Sequence, residues 1–117
     1  MKYALFLAAT LVVGTGHAER FSVINGSKLL QLCTAKDTTD CTSYITGISD
    51  ALSFYQKEVP PDGSKGKLPT YVCVPTTVTG PQMRETVVTY LRQHKEHMDT
   101  QAVGVVLHAL DGAYRCK

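Results

Sequence analysis

Four cysteines constrain the fold of this chain more than any other feature. They are Cys33, Cys41, Cys73 and Cys116, and all of them follow an apolar leader. An even number of cysteines in a short exported chain indicates disulfides that form in an oxidising compartment. A four-cysteine zinc site is the alternative, but such sites usually contain close C-x-x-C pairs, and this sequence has none. We therefore expect two disulfides.

The sequence leaves two disulfide pairings open. Cys33–Cys41 with Cys73–Cys116 would hold two helical hairpins separately, whereas Cys33–Cys116 with Cys41–Cys73 would tie distant segments together. Loop-closure entropy gives about 2.6 and 4 kcal/mol for the first arrangement and about 4.6 and 3.7 kcal/mol for the second, too close to decide between them. We prefer the first pairing.

Residues 1–18 have the order of a cleavable signal peptide. Lys2 supplies a positive start, residues 3–13 are almost entirely apolar, and Gly16 and Ala18 are small residues at the −3 and −1 positions. The apolar run is much shorter than the roughly twenty residues that a transmembrane helix needs. We expect cleavage after Ala18, a single domain over residues 19–117, and no membrane insertion of the mature chain.

The charge of the chain argues against nucleic acid as a partner. The formal net charge is +2, and removal of the leader takes away only one lysine, Lys2. A nucleic-acid-binding domain usually concentrates basic residues on one face, whereas the lysines here are scattered. Neither nucleic acid nor an anionic membrane surface is indicated.

Helical periodicity begins after Gly26. Ser27 can cap a short helix over residues 28–33. The next segment has the clearest pattern, because its apolar residues recur at steps of three and four and so form one stripe on a helix. The residues of that stripe are Cys41, Tyr44, Ile45, Ile48, Leu52 and Tyr55.

Two more helices follow in the second half. Thr79 and Gln82 form the T-x-x-Q of a capping box, with Pro81 in the first helical turn. A charged turn over residues 95–99 follows, and Asp99 or Thr100 opens the last helix, which continues to Tyr114. The sequence thus predicts an all-α fold: a small, disulfide-stapled bundle of about four helices.

Two residues of the second helix suggest structural roles. Gly47 costs about 1 kcal/mol relative to alanine in a helix interior, so we expect another helix to cross closely there. Asp50 lies on the same flank, next to the apolar stripe. Because a buried unpaired charge is costly, we expect Asp50 to bond a backbone group or a tyrosine hydroxyl inside the fold.

The sequence contains no recognisable catalytic motif. No serine lies in a G-x-S-x-G pattern. His94 and His97 form H-x-x-H at a helix end without the H-E-x-x-H pattern of zinc enzymes, and His108 has no partner in sequence. We expect solvated or capping histidines, and neither an enzyme, a metal nor a cofactor.

The segment over residues 58–72 interrupts the helices. It contains three prolines and two glycines, which exclude a continuous helix or central strand. A long loop of this kind is often functional. The segment is therefore either a partner-binding loop or a plain connection across the molecule.

Several short motifs resemble the Rap/Tai family of type VI secretion immunity proteins. The likeness covers nearly the whole mature chain, and C-x-x-Y-I-x-G-x-x-D-A and C-V-P are its most specific elements. The matching residues are Leu32, Cys33, Cys41, Tyr44, Ile45, Gly47, Asp50, Ala51, Cys73, Val74, Pro75, Val78, Gln82, Val87, Tyr90, Leu91, His94, Glu96, Ala102, Ala109, Leu110, Ala113 and Cys116. Lys95 and Arg115 stand where the family usually has proline.

The resemblance implies a periplasmic helical protein, often a homodimer, that binds a secreted peptidoglycan amidase effector and occludes its active site. Most shared positions are core residues or cysteines, so we look for the partner-binding surface in exposed segments. Tyrosines are included because they are enriched at interface hot spots. The candidates are Tyr55, Pro60, Asp62, Lys65, Lys67, Tyr71, Lys95, Glu96, His97 and Asp99.

Two other functions fit the same scaffold. An acid-protective periplasmic chaperone would loosen in acid and bind many clients, through protonation of acids such as Asp50 and Glu85. Three mature histidines are few for a sharp switch near neutral pH. The second of these functions is that of a helical module with an unrelated task in the cell envelope and no toxin partner.

Overall fold

The part of the chain that the structure describes folds into four α-helices around one core. The computed structural model describes residues 23–58 and 72–117. The elements are α1 (Gly26–Cys33), α2 (Thr39–Glu58), α3 (Gly80–Gln93) and α4 (Ala102–Ala113), with a single 3₁₀ turn, Lys95–His97, between α3 and α4. Pairing of β type in these two ranges is limited to isolated bridges. The all-α prediction is confirmed, and the proposed leader lies outside the described residues.

Local side-chain caps mark the starts of α1 and α3. The predicted capping box of α3 is present, with the Thr79 N–H donating to Gln82 Oε1 at 2.8 Å and the Gln82 N–H donating to Thr79 Oγ1 at 3.3 Å. The cap of α1 is Asn25, whose Oδ1 accepts the Lys28 N–H at 3.0 Å, so the prediction of Ser27 was wrong. Asparagine and serine are comparable N-caps, and sequence alone does not separate two adjacent ones.

The last helix begins later than predicted, at Ala102. The Thr100 carbonyl accepts the Gly26 N–H at 2.8 Å, and the Ala102 N–H donates to the Ile24 carbonyl at 3.0 Å. The residues before α4 thus pair with the segment that precedes α1 and do not enter the helix.

All four helices contribute apolar side chains to the core. Helix α3 packs against each of the other three. Thr38 accepts a hydrogen bond from Arg84, and Thr42 lies against Gly80, which makes α2 and α3 antiparallel. The completely buried large side chains are Leu29, Ile45, Leu91, Leu110, Val87, Val105 and Val106. None of the helices in residues 23–58 and 72–117 is long and apolar enough to cross a membrane.

Two disulfides are present, in the pairing that we preferred. Cys33–Cys41 joins α1 to α2, with the Cα atoms 5.0 Å apart. Cys73–Cys116 joins the segment before α3 to the residues after α4, with the Cα atoms 4.9 Å apart. The Cys73 N–H also donates to the Tyr114 carbonyl at 2.7 Å. Each bond therefore ties together segments that already pack on each other.

The side chain of Gln56 substitutes for a neighbouring strand. Its Nε2 donates to the Val72 carbonyl at 2.8 Å, and its Oε1 accepts the Val72 N–H at 2.9 Å. Val72 is buried and forms a β-bridge with Arg115 on its other side. The Gln56 side chain therefore satisfies both backbone polar groups of Val72. It also links the last turns of α2 to the Cys73–Cys116 region.

Replacing Gln56 with alanine should destabilise the domain. Each net hydrogen bond contributes about 0.5–1.5 kcal/mol, so Gln56→Ala should lower the free energy of unfolding by about 1–3 kcal/mol. Urea denaturation measures the loss. Lys57→Ala, one position along at an exposed site, is the control. Equal stabilities of the two variants would contradict this role for Gln56.

The structure corrects the roles predicted for Gly47 and Asp50. Gly47 is exposed, and within the described residues a Cβ atom there would meet nothing within 4 Å. Asp50 is also exposed, so it is not the buried carboxylate that we expected. Both predictions assumed that another helix packs on this flank of α2, whereas the flank faces solvent. Close approach occurs instead at Gly26, where a Cβ atom would collide with the His97 carbonyl oxygen and lie 3.1 Å from Leu91 Cδ2.

These two glycines should respond oppositely to alanine. Gly47→Ala should raise the free energy of unfolding by about 0.5–1 kcal/mol, because alanine is the better helix former and the site has room. Gly26→Ala should lower it by about 1–3 kcal/mol, because the added methyl overpacks a backbone contact. Urea denaturation of both variants tests the pair. A destabilised Gly47→Ala or a neutral Gly26→Ala would be inconsistent with this packing.

Candidate functional site

The candidate site centres on the turn that connects α3 to α4, residues 94–101. Inside this α3–α4 turn, the His97 N–H donates to the His94 carbonyl at 3.0 Å and the Thr100 N–H to the His97 carbonyl at 3.1 Å. Its Met98 carbonyl also accepts the Ser27 N–H at 2.9 Å. Together with the Gly26–Thr100 hydrogen bond, these contacts hold the turn rigidly on the start of α1.

Four rings collect beside the turn and form what we call the ring cluster: Tyr90, His94, His97 and His108. Tyr90 and His94 lie one helical turn apart on α3 and stack with centroids 4.3 Å apart. His97 lies 5.9 Å from His94 and 5.8 Å from His108, which α4 supplies. The packing of α4 on α3 thus adds His108 to the H-x-x-H pair that the end of α3 and the turn already hold together.

Glu96 places a negative charge against this cluster. Its Oε1 lies 3.1 Å from His94 Nδ1 and 3.8 Å from His97 Nε2. A hydrogen bond from its own backbone N–H, followed by the bond with His94, holds the pKa of the Glu96 carboxyl below its usual value. Partial burial, helped by the charge of Glu96, raises the pKa of the Tyr90 phenol. The turn and the adjoining end of α3 therefore present a carboxylate, imidazoles and a neutral phenol.

A shallow groove between α3 and α4 continues from the ring cluster. This α3–α4 groove has a volume of about 540 Å³. Its α3 side carries polar and aromatic side chains at helical spacing, and its α4 side carries small residues. The lining residues are Glu85, Thr86, Thr89, Tyr90, Gln93, His94, Ala109, Gly112 and Ala113. Small residues on one wall allow another backbone to approach closely, as in a protein contact.

A second groove is apolar. This α2–α4 groove has a volume of about 420 Å³. Tyr55 and Leu107 are its exposed large side chains, 43% and 37% accessible. The full lining is Ile48, Ala51, Leu52, Tyr55, Val103 and Leu107.

The predicted partner-binding residues fall in different places. Lys95, Glu96, His97 and Asp99 lie together on the α3–α4 turn, whereas Tyr55 lines the α2–α4 groove. Pro75 is exposed, and its carbonyl accepts the Val78 N–H at 3.0 Å in the turn before α3. The remaining candidates lie outside the described residues: Pro60, Asp62, Lys65, Lys67 and Tyr71.

Sequence reasoning missed the contribution of α4 to this surface. His108 was taken as solitary, and Ala109, Gly112 and Ala113 were not recognised as a groove wall. The pairing of Tyr90 with His94 has a local signal, because positions four apart share a helix face. The position of His108 has none, since it depends on how α4 packs on α3.

Comparison with known proteins identifies the family. A family model described as Rap1a immunity proteins matches residues 25–116, which include all four helices and both disulfides. Searches of curated proteins and of solved structures find no match. Immunity proteins act by binding a partner protein. The family model covers nearly all of the residues that the structure describes. The chain belongs to the Rap1a immunity protein family.

Proposed function

We propose that this chain is a periplasmic immunity protein that binds a peptidoglycan amidase effector of a type VI secretion system and occludes its active site. The family match over residues 25–116 carries the proposal, because an immunity protein implies a secreted effector as its partner. The amidase as target follows from the resemblance of the sequence motifs to the Rap/Tai proteins. The chain acts as a stoichiometric inhibitor, not as an enzyme.

The α3–α4 turn is the surface that we propose enters the amidase cleft. Lys95, Glu96 and Asp99 are exposed on it, and His97 is half-buried beneath them. The turn is already ordered by its hydrogen bonds to α1, so little conformational entropy is lost on binding. A short, rigid, charged turn of this kind can enter an enzyme cleft and block access of the substrate.

The α3–α4 groove supports a second contact beside the turn. Gly112 and Ala113 are exposed and lack long side chains, so a segment of the effector can lie against α4. Glu85, Thr89 and Gln93 can then bond its main-chain groups from the α3 side. Contact at both places would bury a continuous surface, as a specific complex requires.

The periplasmic location rests on the cysteines and the leader. Two disulfides need an oxidising compartment to form and persist. The leader predicted over residues 1–18 would deliver the chain to that compartment. This is also where an amidase would meet peptidoglycan.

We propose in addition that the chain forms a homodimer through the α2–α4 groove. The groove is apolar and bordered by exposed Tyr55 and Leu107, the composition typical of homodimer interfaces. Sedimentation equilibrium should give twice the chain mass for the native protein and the chain mass for Leu107→Glu. A monomeric native protein would exclude the dimer and leave the proposed inhibition in place.

Capture of the partner from periplasm tests the proposed function. The oxidised chain, immobilised at neutral pH, should retain one hydrolase in a one-to-one ratio from extract of a strain that carries a neighbouring amidase gene. The same capture in acid discriminates the alternative function. Many partners that appear only in acid would indicate a chaperone, and no amidase binding with Kd below roughly 1 μM would exclude the inhibitor.

A further inference from the structure

We propose that the α3–α4 turn is a binding site for a divalent transition-metal ion, with His94 Nδ1, the Glu96 carboxylate and His97 Nε2 as its protein ligands. One ligand atom from each of these three residues lies within 4.8 Å of the other two. The sequence did not indicate a metal, because its H-x-x-H motif lies at a helix end and lacks the H-E-x-x-H pattern of zinc enzymes. The inference concerns the chain alone and does not depend on the amidase.

The distances between the ligand atoms approach those of a bound site. Ligands at about 2.0–2.2 Å from a tetrahedral zinc ion lie about 3.4 Å from one another. Glu96 Oε1 lies 3.1 Å from His94 Nδ1 and 3.8 Å from His97 Nε2, on either side of that value. Only the separation of the two imidazole nitrogens needs to shorten, through side-chain rotation at an exposed site.

The second nitrogen of His97 is held in a way that favours a cation. His97 Nδ1 lies 3.3 Å from Thr100 Oγ1. When Nδ1 donates its proton to that hydroxyl, Nε2 presents a lone pair toward the Glu96 carboxylate. Two acceptors then face each other, and a cation between them relieves the repulsion. A hydrogen bond on the outer nitrogen is also the usual way in which proteins orient a histidine ligand.

The surroundings give the site its rigidity and its open face. The turn is fixed on α1 by the Met98 and Thr100 carbonyls, and His94 is stacked on Tyr90. The side chains of His94, Glu96 and His97 are 41%, 66% and 30% exposed, so water can fill the remaining coordination positions.

The ligand set defines the class of metal. Two imidazoles and one carboxylate favour Zn²⁺, Ni²⁺ or Cu²⁺ over Mg²⁺ and Ca²⁺, which prefer oxygen ligands only. With three protein ligands the affinity should be moderate, with a dissociation constant for Zn²⁺ on the order of 10 μM at neutral pH.

Isothermal titration of the oxidised, tag-free protein with zinc chloride tests this site. We expect one Zn²⁺ per chain and no heat with magnesium chloride. Glu96→Gln, which keeps the size of the side chain, should weaken binding at least about tenfold, and His97→Ala should abolish it. His108→Ala is the matched control, because it removes a histidine of the same ring cluster and should bind Zn²⁺ like the native protein.

Amide NMR spectra separate loss of a ligand from loss of the fold. Zinc should shift the resonances of residues 94–100 in the native protein, and Glu96→Gln should keep the native spectrum in the absence of zinc. Absence of binding, or binding that Glu96→Gln and His97→Ala leave unchanged, would overturn the proposal and reduce the cluster to an ion pair. Neither result would bear on capture of the amidase.

Discussion

Reduction of both disulfides should lower the free energy of unfolding by about 6–7 kcal/mol, the largest stability change that we expect from any treatment of this protein. Cys33–Cys41 spans 8 positions and Cys73–Cys116 spans 43, and the two loops do not overlap along the chain. Their loop-closure contributions, about 2.6 and about 4 kcal/mol, therefore add. Domains of this size are stable by only about 5–15 kcal/mol. Circular dichroism at 222 nm under a phosphine reductant should show loss of most of the helical signal.

A double variant isolates the larger contribution. Cys73 is exposed and Cys116 is half-buried, so Cys73→Ala with Cys116→Ala removes the long loop closure without opening a core cavity. Its free energy of unfolding should fall by about 4 kcal/mol. The remaining Cys33–Cys41 bond serves as the internal control, since reductant should destabilise the variant further. A fully helical, cooperatively unfolding reduced protein would contradict the role assigned to the disulfides.

Reversal of the charges on the α3–α4 turn should weaken effector binding at least about 100-fold, which corresponds to about 2.7 kcal/mol. The variant is Lys95→Glu with Asp99→Lys, two exposed positions, and it leaves the net charge unchanged. In the proposed interface, the amidase groups that attract Lys95 and Asp99 would repel the reversed charges. Like charges placed together across an interface cost several kcal/mol. Surface plasmon resonance with the captured amidase measures the affinity.

The matched control reverses two charges on α2. Asp50→Lys with Lys57→Glu makes the same kind of exchange at exposed positions away from the turn. It should bind the amidase with native affinity. In urea denaturation, both double variants should have a free energy of unfolding within about 1 kcal/mol of the native value. Loss of binding in the α2 variant with native binding in the turn variant would place the interface on α2 and reject the turn.

The fold could be predicted where the cause is local. The capping box at Thr79 and Gln82 and the helical stripe through Ile45 each depend on residues within one or two turns. The surroundings of Gly47 and Asp50 were predicted wrongly, because they depend on which flank of α2 faces the other helices. The start of α4 was missed for the same reason, since a hydrogen bond to Gly26 ends the preceding turn.

The candidate site could be predicted only in part. Charge and turn residues indicated the segment at 95–99, and those residues do lie together on an exposed turn. The chemistry next to them was not predictable, because His108 reaches His97 from another helix. The partner of His97 Nδ1 is Thr100 Oγ1, and that contact requires the turn to be closed. Sequence periodicity reports which face is apolar, but not which polar side chains meet across two helices.

Titration of the captured amidase with the oxidised chain tests the central claim, stoichiometric inhibition of a cell-wall amidase, most directly. The rate of peptidoglycan hydrolysis would be measured at an amidase concentration well above the dissociation constant. We predict a linear fall in rate to near zero at one chain per amidase active site. An unchanged rate at a tenfold excess of the chain would contradict the claim, even if the two proteins bind.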